Sequence, residues 1–164
     1  MEKLLVVVDM QNDFVDGSLG TSEAVGIVEN VVAKIKNHRG PVVYTRDTHP
    51  DNYLETQEGK NLPVVHCVKD TQGWEIAGGL MVPGAVVVDK PNFGYPDWKK
   101  NFFFEEVELI GLCTDICVVS NALILKAQFP DADISVDSTC CAGVSPESHE
   151  AALVTMKMCQ IDVK

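Results

Sequence analysis

From Lys3 to Val8 the chain is a valine-rich apolar run that stops at Asp9. A strand with one wet face would alternate polar and apolar residues. A continuous run reads instead as a strand buried on both sides, the pattern of a parallel sheet covered by helices. Asp9 then stands at the carboxyl end of a strand, where open α/β sheets build their ligand sites; the plainer alternative is a carboxylate that caps a nearby turn.

The remaining chain repeats this theme. Val25, Val28, Val32 and Ile35 recur at spacings of three and four, which predicts an amphipathic helix over about residues 23 to 38. It ends near His38-Arg39-Gly40-Pro41, with His38 placed to meet the helix dipole. Val42 to Thr45 is the second strand, and Arg46-Asp47-Thr48-His49-Pro50 follows its carboxyl end. Ala85 to Val88, Val107 to Leu112 and Ile134 to Val136 read as further strands, and Gln160 to Val163 as a candidate edge strand. The helix following the fourth strand carries Val118, Val119, Ala122, Leu123, Leu125 and Ala127, so it is broadly apolar, and it stops before Pro130. Ser145 with Pro146 opens a last helix reaching about Met158. Strands alternating with helices define an α/β fold. The polar stretch 51–79 is the exception, and a loop of that length in a compact domain is usually functional or mobile.

With 164 residues, 46% of them hydrophobic, and no linker-like segment, residues 1–164 read as one domain able to fold unaided. No apolar run is long enough for a bilayer, and Met1-Glu2-Lys3 leads straight into the first strand without a cleavable signal pattern, so the expected location is cytoplasmic. Six cysteines without a CxxC pair are then reduced thiols and not a zinc ribbon or disulfide framework. A formal net charge of −11 disfavours nucleic acid and anionic membranes, which leaves a small molecule as the expected partner.

The most reactive stretch is Gly111-Leu-Cys-Thr-Asp-Ile-Cys-Val-Val119, a strand end that fires a helix. Thr114 or Asp115 can cap that helix, placing Cys117 in its first turn, where free N–H groups and the dipole favour a thiolate. The competing reading is a small buried hydrophobe. Lys90, after the third strand, either snorkels to solvent or sits beside Asp9 and Cys117, holding the acid ionised and favouring the thiolate. Asp47, His49 and His66 offer one carboxylate and two imidazoles, a set suited to zinc or iron, or are solvated loop residues. Phe14 lines a pocket or plugs the core; Trp74 packs or stacks on a substrate, as does Tyr95.

Four strand ends carrying Asp9, Asp47 with His49, Lys90 and the Cys117 turn resemble the isochorismatase-like cysteine hydrolases, and among them the nicotinamidase-related amidases. The resemblance rests on Val-Val-Asp-Met-Gln-Asn-Asp-Phe at 7–14, Thr-Arg-Asp-Thr-His-Pro at 45–50, His-Cys-Val at 66–68, Lys90, and Gly-Leu-Cys-Thr-Asp-Ile-Cys-Val at 111–118. It implies a three-layer αβα sandwich with a six-stranded parallel sheet and a catalytic set of Asp9, Lys90 and Cys117. It also implies oxyanion donors from the backbone N–H groups of Cys113 and Cys117, and a cis peptide between Leu112 and Cys113. Asp47, His49 and His66 would hold a divalent metal, zinc first and iron or manganese next, with Glu55 or Glu58 as a further ligand. The implied reaction is deamidation of nicotinamide or a similar aromatic amide through a thioester, by a homo-dimer or tetramer. Two rivals stand beside it: a metal-independent relative acting on an enol ether, ureido compound or ester, and a redox protein using Cys113 and Cys117 as a thiol pair.

Overall fold

The computed structural model describes residues 3–164; Met1 and Glu2, where the reading of the chain's start falls, lie outside the described residues. Six strands form one all-parallel sheet: β1 (Leu4–Val8), β2 (Val42–Asp47), β3 (Val86–Lys90), β4 (Glu106–Leu112), β5 (Asp133–Ala142) and β6 (Asp162–Val163). Their order is β3-β2-β1-β4-β5-β6.

The valine-rich run explains the layering. Leu4, Val6 and Val8 pack toward α6 (Val119–Gln128) and α7 (Pro146–Met158), while Leu5 and Val7 pack toward α1 (Asn12–Val15), α2 (Ser22–Gly26) and α3 (Val28–Asn37). All five are buried, each contributing about 1.5 to 3 kcal/mol by burial. Both faces of β1 are therefore covered by helices, as a continuous apolar run requires, and the architecture is the αβα sandwich expected.

Some boundaries differ from expectation. The helix predicted over 23–38 is two helices that meet at Ile27, and Val25 faces solvent. Thr21 begins the first of them by accepting the Ala24 N–H, so a polar side chain, not the apolar period, sets where helix starts. β3 runs on to Lys90, and β5 extends through Ala142 because a register irregularity between Leu109 and Gly111 lets its polar middle continue alongside β4. Gly111 itself is at φ +119°, and a Cβ there would lie 2.1 Å from the Val8 carbonyl oxygen. Only glycine permits β4 to pass β1 so closely. Among the described residues no helix is long and apolar enough to cross a membrane.

Strand order reverses between β1 and β4, and that pair opens the crevice at the carboxyl edge. Asp9 follows β1 and the Cys113–Cys117 turn follows β4. Neighbouring β2 and β3, paired in register from Val43 with Val86 to Asp47 with Lys90, deliver two more charged residues to the same edge.

Candidate active site

Asp9 leaves β1 at φ +46° with its side chain fully buried. Its Oδ1 accepts the Thr45 hydroxyl at 2.6 Å, and its Oδ2 lies 2.6 Å from Lys90 Nζ. Lys90 is also fully buried, which rules out snorkelling; its ammonium donates to the Asn92 carbonyl at 3.0 Å and to Cys117 Sγ at 3.6 Å. Acid, amine and thiol thus form a contiguous chain away from water.

The three groups and their burial shift one another's proton affinity. Burial pushes the Cys117 thiol well up, Asp9 adds to this, and Lys90 only partly opposes it. Burial also raises Asp9 against the pull of Lys90, with Asp47 reinforcing the rise. Lys90 would be lowered by burial, but Asp9, Cys117 and Asp47 outweigh that and hold it firmly protonated. Lys90 thus pulls Asp9 toward the carboxylate and Cys117 toward the thiolate, while burial works against both charged forms.

The nucleophile turn also differs from the predicted cap. Residues Thr114–Val118 form a π-helical turn, Cys113 is the N-cap, and neither Thr114 nor Asp115 caps it. Thr114 Oγ1 instead meets His149 Nδ1 at 2.7 Å, and the Asp115 carboxylate accepts the Val144 N–H at 3.2 Å from each oxygen. Cys113 O takes both the Ile116 and Val118 N–H groups, and the Leu112–Cys113 peptide is cis, as the resemblance implied. Burial and the nearby Asp115 push the Cys113 thiol up to about 12.

At the end of β2 a second cluster converges. The ligand atoms of Asp47, His49, Glu58 and His66 lie within 4.8 Å of one another. His49 Nε2 is 2.9 Å from Asp47 Oδ2 and 3.6 Å from Glu58 Oε1, and His66 Nε2 is 3.6 Å from Asp47 Oδ2. Val64 O accepts the His66 Nδ1 proton at 2.8 Å, which orients the ring so that Nε2 faces the cluster. Burial alone would raise Asp47; the His49 and His66 hydrogen bonds and the Lys90 charge outweigh it and hold the carboxyl well below the usual range. Asp47 Oδ1 is buried and accepts no hydrogen bond. Two imidazoles and two carboxylates, with Asp47 Oδ2 between the imidazoles and Oδ1 3.8 Å from the Lys90 ammonium, fit a divalent cation of the zinc, iron or manganese type. Of the two glutamates left open by the sequence, α4 (Gln57–Asn61) brings Glu58 to the cluster, whereas Glu55 accepts from Asn52 at 3.3 Å on the surface.

A cavity of about 340 Å³ joins the two clusters. Asp47, Glu58, His66, Cys113 and Cys117 line it, with apolar walls from Phe14, Leu19, Leu62, Phe93, Ile116 and Val144. Phe14 is thus a wall residue. Trp74 and Tyr95 are not. Trp74 is buried under the Arg46 guanidinium, 3.5 Å from the ring centroid, and donates to Thr48 Oγ1 at 2.8 Å. Tyr95 packs edge-on against Trp98 and accepts the Asn101 amide through its hydroxyl. Phe93, two residues earlier, takes the place expected of Tyr95.

Sequence reasoning also missed the buried amides. Gln11 clamps the end of β2: its Nε2 donates to the Asp47 and Trp74 carbonyls at 2.8 and 2.9 Å, and its Oε1 accepts the Asp47 N–H at 2.8 Å. Its position two residues beyond Asp9, in a strand-end segment with no water-facing pattern, was the one available signal.

A doubly wound αβα fold thus places a buried Asp-Lys-Cys chain and a His/carboxylate cluster around one cavity at the carboxyl edge of the sheet. The profile of the Isochorismatase domain family matches residues 3–163, and the chain belongs to that family. It is similar to the nicotinamidase/pyrazinamidase of Mycobacterium tuberculosis, 26% identical over 184 aligned residues covering 98% of this chain and 97% of the relative. Among solved structures it resembles the pyrazinamidase of Pyrococcus horikoshii in complex with zinc, at TM-score 0.88 and 28% identity, covering 100% of this chain and 99% of that one. It also resembles the N-carbamoylsarcosine amidase of Thermoplasma acidophilum, at TM-score 0.79 and 28% identity, over 100% of this chain and 96% of that one.

Proposed function

We propose that this chain is a cysteine-dependent amidohydrolase that converts nicotinamide or a similar small aromatic carboxamide to the acid and ammonia. The observation that carries the reading is the buried chain from Asp9 through Lys90 to Cys117, opening on a cavity that also meets the metal-type cluster. Similarity to nicotinamidases supports the substrate class.

The steps follow from the charges. Cys117 Sγ attacks the amide carbon as Asp9 takes the thiol proton, which avoids a free thiolate in a buried site. The Cys113 and Cys117 backbone N–H groups stabilise the oxyanion. Asp9 passes its proton to the departing nitrogen, and the C–N bond breaks to leave a thioester and ammonia. Asp9, again a carboxylate, takes a proton from water as the hydroxyl adds to the thioester; collapse expels Cys117, which regains the proton from Asp9. Lys90 stays charged throughout and keeps Asp9 within reach of both proton partners. Asp47, His49, Glu58 and His66 are the residues that would hold a divalent cation, zinc first, and when bound it supplies a Lewis-acid seat for a ring nitrogen. Phe14 and Phe93 offer faces to a flat ring.

The test is an ammonia-release screen over nicotinamide, pyrazinamide and aliphatic amides, with metal content measured on the same sample. No release from any amide would sink the reading. The second reading, a metal-independent hydrolase of a ureido compound, is favoured by the likeness to N-carbamoylsarcosine amidase; it expects turnover of such a compound by metal-free protein.

A further inference from the structure

Asn121 lies on α6, four residues after Cys117, and its side chain is fully buried in a helix whose other inward residues are apolar. All its bonding capacity toward the site is used. Nδ2 donates to the Cys117 carbonyl at 2.8 Å and to the Phe93 carbonyl at 3.2 Å; Oδ1 accepts the Tyr95 N–H at 2.9 Å and the Trp98 indole N–H at 3.1 Å. One amide therefore joins the nucleophile's own backbone to the segment between β3 and α5 (Trp98–Asn101) that carries Phe93. Lys90 and Gln128 also tie that segment, donating to the Asn92 carbonyl at 3.0 Å and to the Pro96 carbonyl at 2.7 Å.

Phe93 matters because it borders two spaces. It walls the cavity that holds Cys117, and with Glu58, Leu62 and Ile116 it also walls a neighbouring cleft that holds His49. Phe93 itself is partly exposed, so packing alone does not fix it; its carbonyl is held by Asn121 across the site and its N–H by the neighbouring Asn92 side chain. We infer that Asn121 is a positioning residue that sets the Phe93 wall at a fixed distance from Cys117, so that a flat substrate is seated against the nucleophile and kept out of the adjoining cleft. The inference rests on the reading of Cys117 as the nucleophile.

Asn121→Asp keeps the shape and the acceptor for Tyr95 and Trp98, but replaces the donor facing two carbonyls with an oxygen. Asn121→Ser serves the same purpose with less repulsion. The seat is read by the ratio of Cys117 modification rates by benzyl and methyl methanethiosulfonate, followed by peptide mass, together with KM and kcat for nicotinamide. Either variant is expected to lower the ratio by about tenfold and to raise KM more than it lowers kcat. Phe93→Ala is expected to lower the ratio similarly, and the double variant to fall no further, because residues that act through one another are non-additive. A ratio unchanged in the Asn121 variants, losses that multiply in the double variant, or failure of both Asn121 variants to fold would overturn the inference. A wild-type protein that releases no ammonia fails the proposed function instead, and leaves the labelling ratio readable.

Discussion

At the scale of single residues, the site turns on how three buried groups share protons. Cys117 is raised by burial, Asp9 is raised by burial and by Asp47, and Lys90 is held charged by its anionic neighbours. In the proposed mechanism the thiol reacts as its proton passes to Asp9. Cys117→Ala is accordingly expected to abolish ammonia release while shifting the melting temperature by no more than about 4 °C, since little volume is lost; turnover near wild type would exclude the assignment. Asp9→Asn removes the proton carrier and is expected to lower kcat/KM by about 10² to 10⁴-fold. The pH profile follows from the direction of the Asp9 shift. In the proposed mechanism activity needs the Asp9 carboxylate, so kcat/KM is expected to rise as pH passes through a value above the ordinary 3.8, and Lys90 to add no alkaline limb near neutrality. Rates measured from about pH 4 to about pH 9 check this, and an acid limb at the ordinary carboxylate value would contradict it.

At the scale of elements, the site is four strand ends plus one short helix, and the two kinds of contribution were not equally readable. Asp9, Asp47, Lys90 and Cys117 each end or closely follow an apolar run, so the sheet's own pattern pointed to them. The cap at Thr114 or Asp115 was misread because capping propensity is local, whereas His149 and Val144, far along the chain, claim those side chains. Asn121 gave no signal and Gln11 only its place two residues beyond Asp9, because a buried amide looks like any polar residue until its partners are placed. For Trp74 and Tyr95 packing and stacking stayed open because aromatic character serves both; the structure binds their polar ends elsewhere and leaves them off the cavity wall. The metal-type cluster depended on α4 carrying Glu58 inward, which spacing alone left open against Glu55. Glu58→Gln replaces a charged ligand with a neutral one and is expected to weaken zinc binding by at least about tenfold. A competitive chelator titration measures it, and equal affinity would place Glu58 outside the ligand set. In the amidase reading, stripping the metal lowers turnover of nicotinamide more than it lowers labelling of Cys117 by a small thiol reagent.

At the scale of the whole molecule, the site edge is held by a sheet whose opposite corner is tied by charge. Glu108 on β4 is buried toward the α3 face, and Lys34 of α3 bridges it to Asp137 of β5, at 3.3 and 2.6 Å. Lys3 and Lys164 also reach Glu108, at 3.3 and 3.5 Å. Burial would raise both acids, but the lysines outweigh it, and Glu108 and Asp137 lie below their ordinary values of 4.5 and 3.8. An acid whose folded value is depressed contributes stability that is complete above its unfolded value and fades as pH falls through the folded one. Asp9, raised in the fold, pulls the other way, so the total pH dependence of unfolding mixes two signs. Lys34→Met separates them, because it removes the bridge and leaves Asp9 untouched while keeping the length of the side chain that lies along the helix. Charge-assisted hydrogen bonds contribute about 1 to 3 kcal/mol, so the variant is expected to melt about 2 to 8 °C lower near neutral pH. The gap between variant and wild type should close as pH drops below the ordinary values of these two acids, where both become protonated. Thermal melts of the two proteins across that range read the difference directly. A gap that stays constant with pH would assign the loss to packing of the Lys34 stem, and no gap at neutral pH would mean that Lys3 and Lys164 suffice to hold Glu108 and that the corner does not brace the sheet.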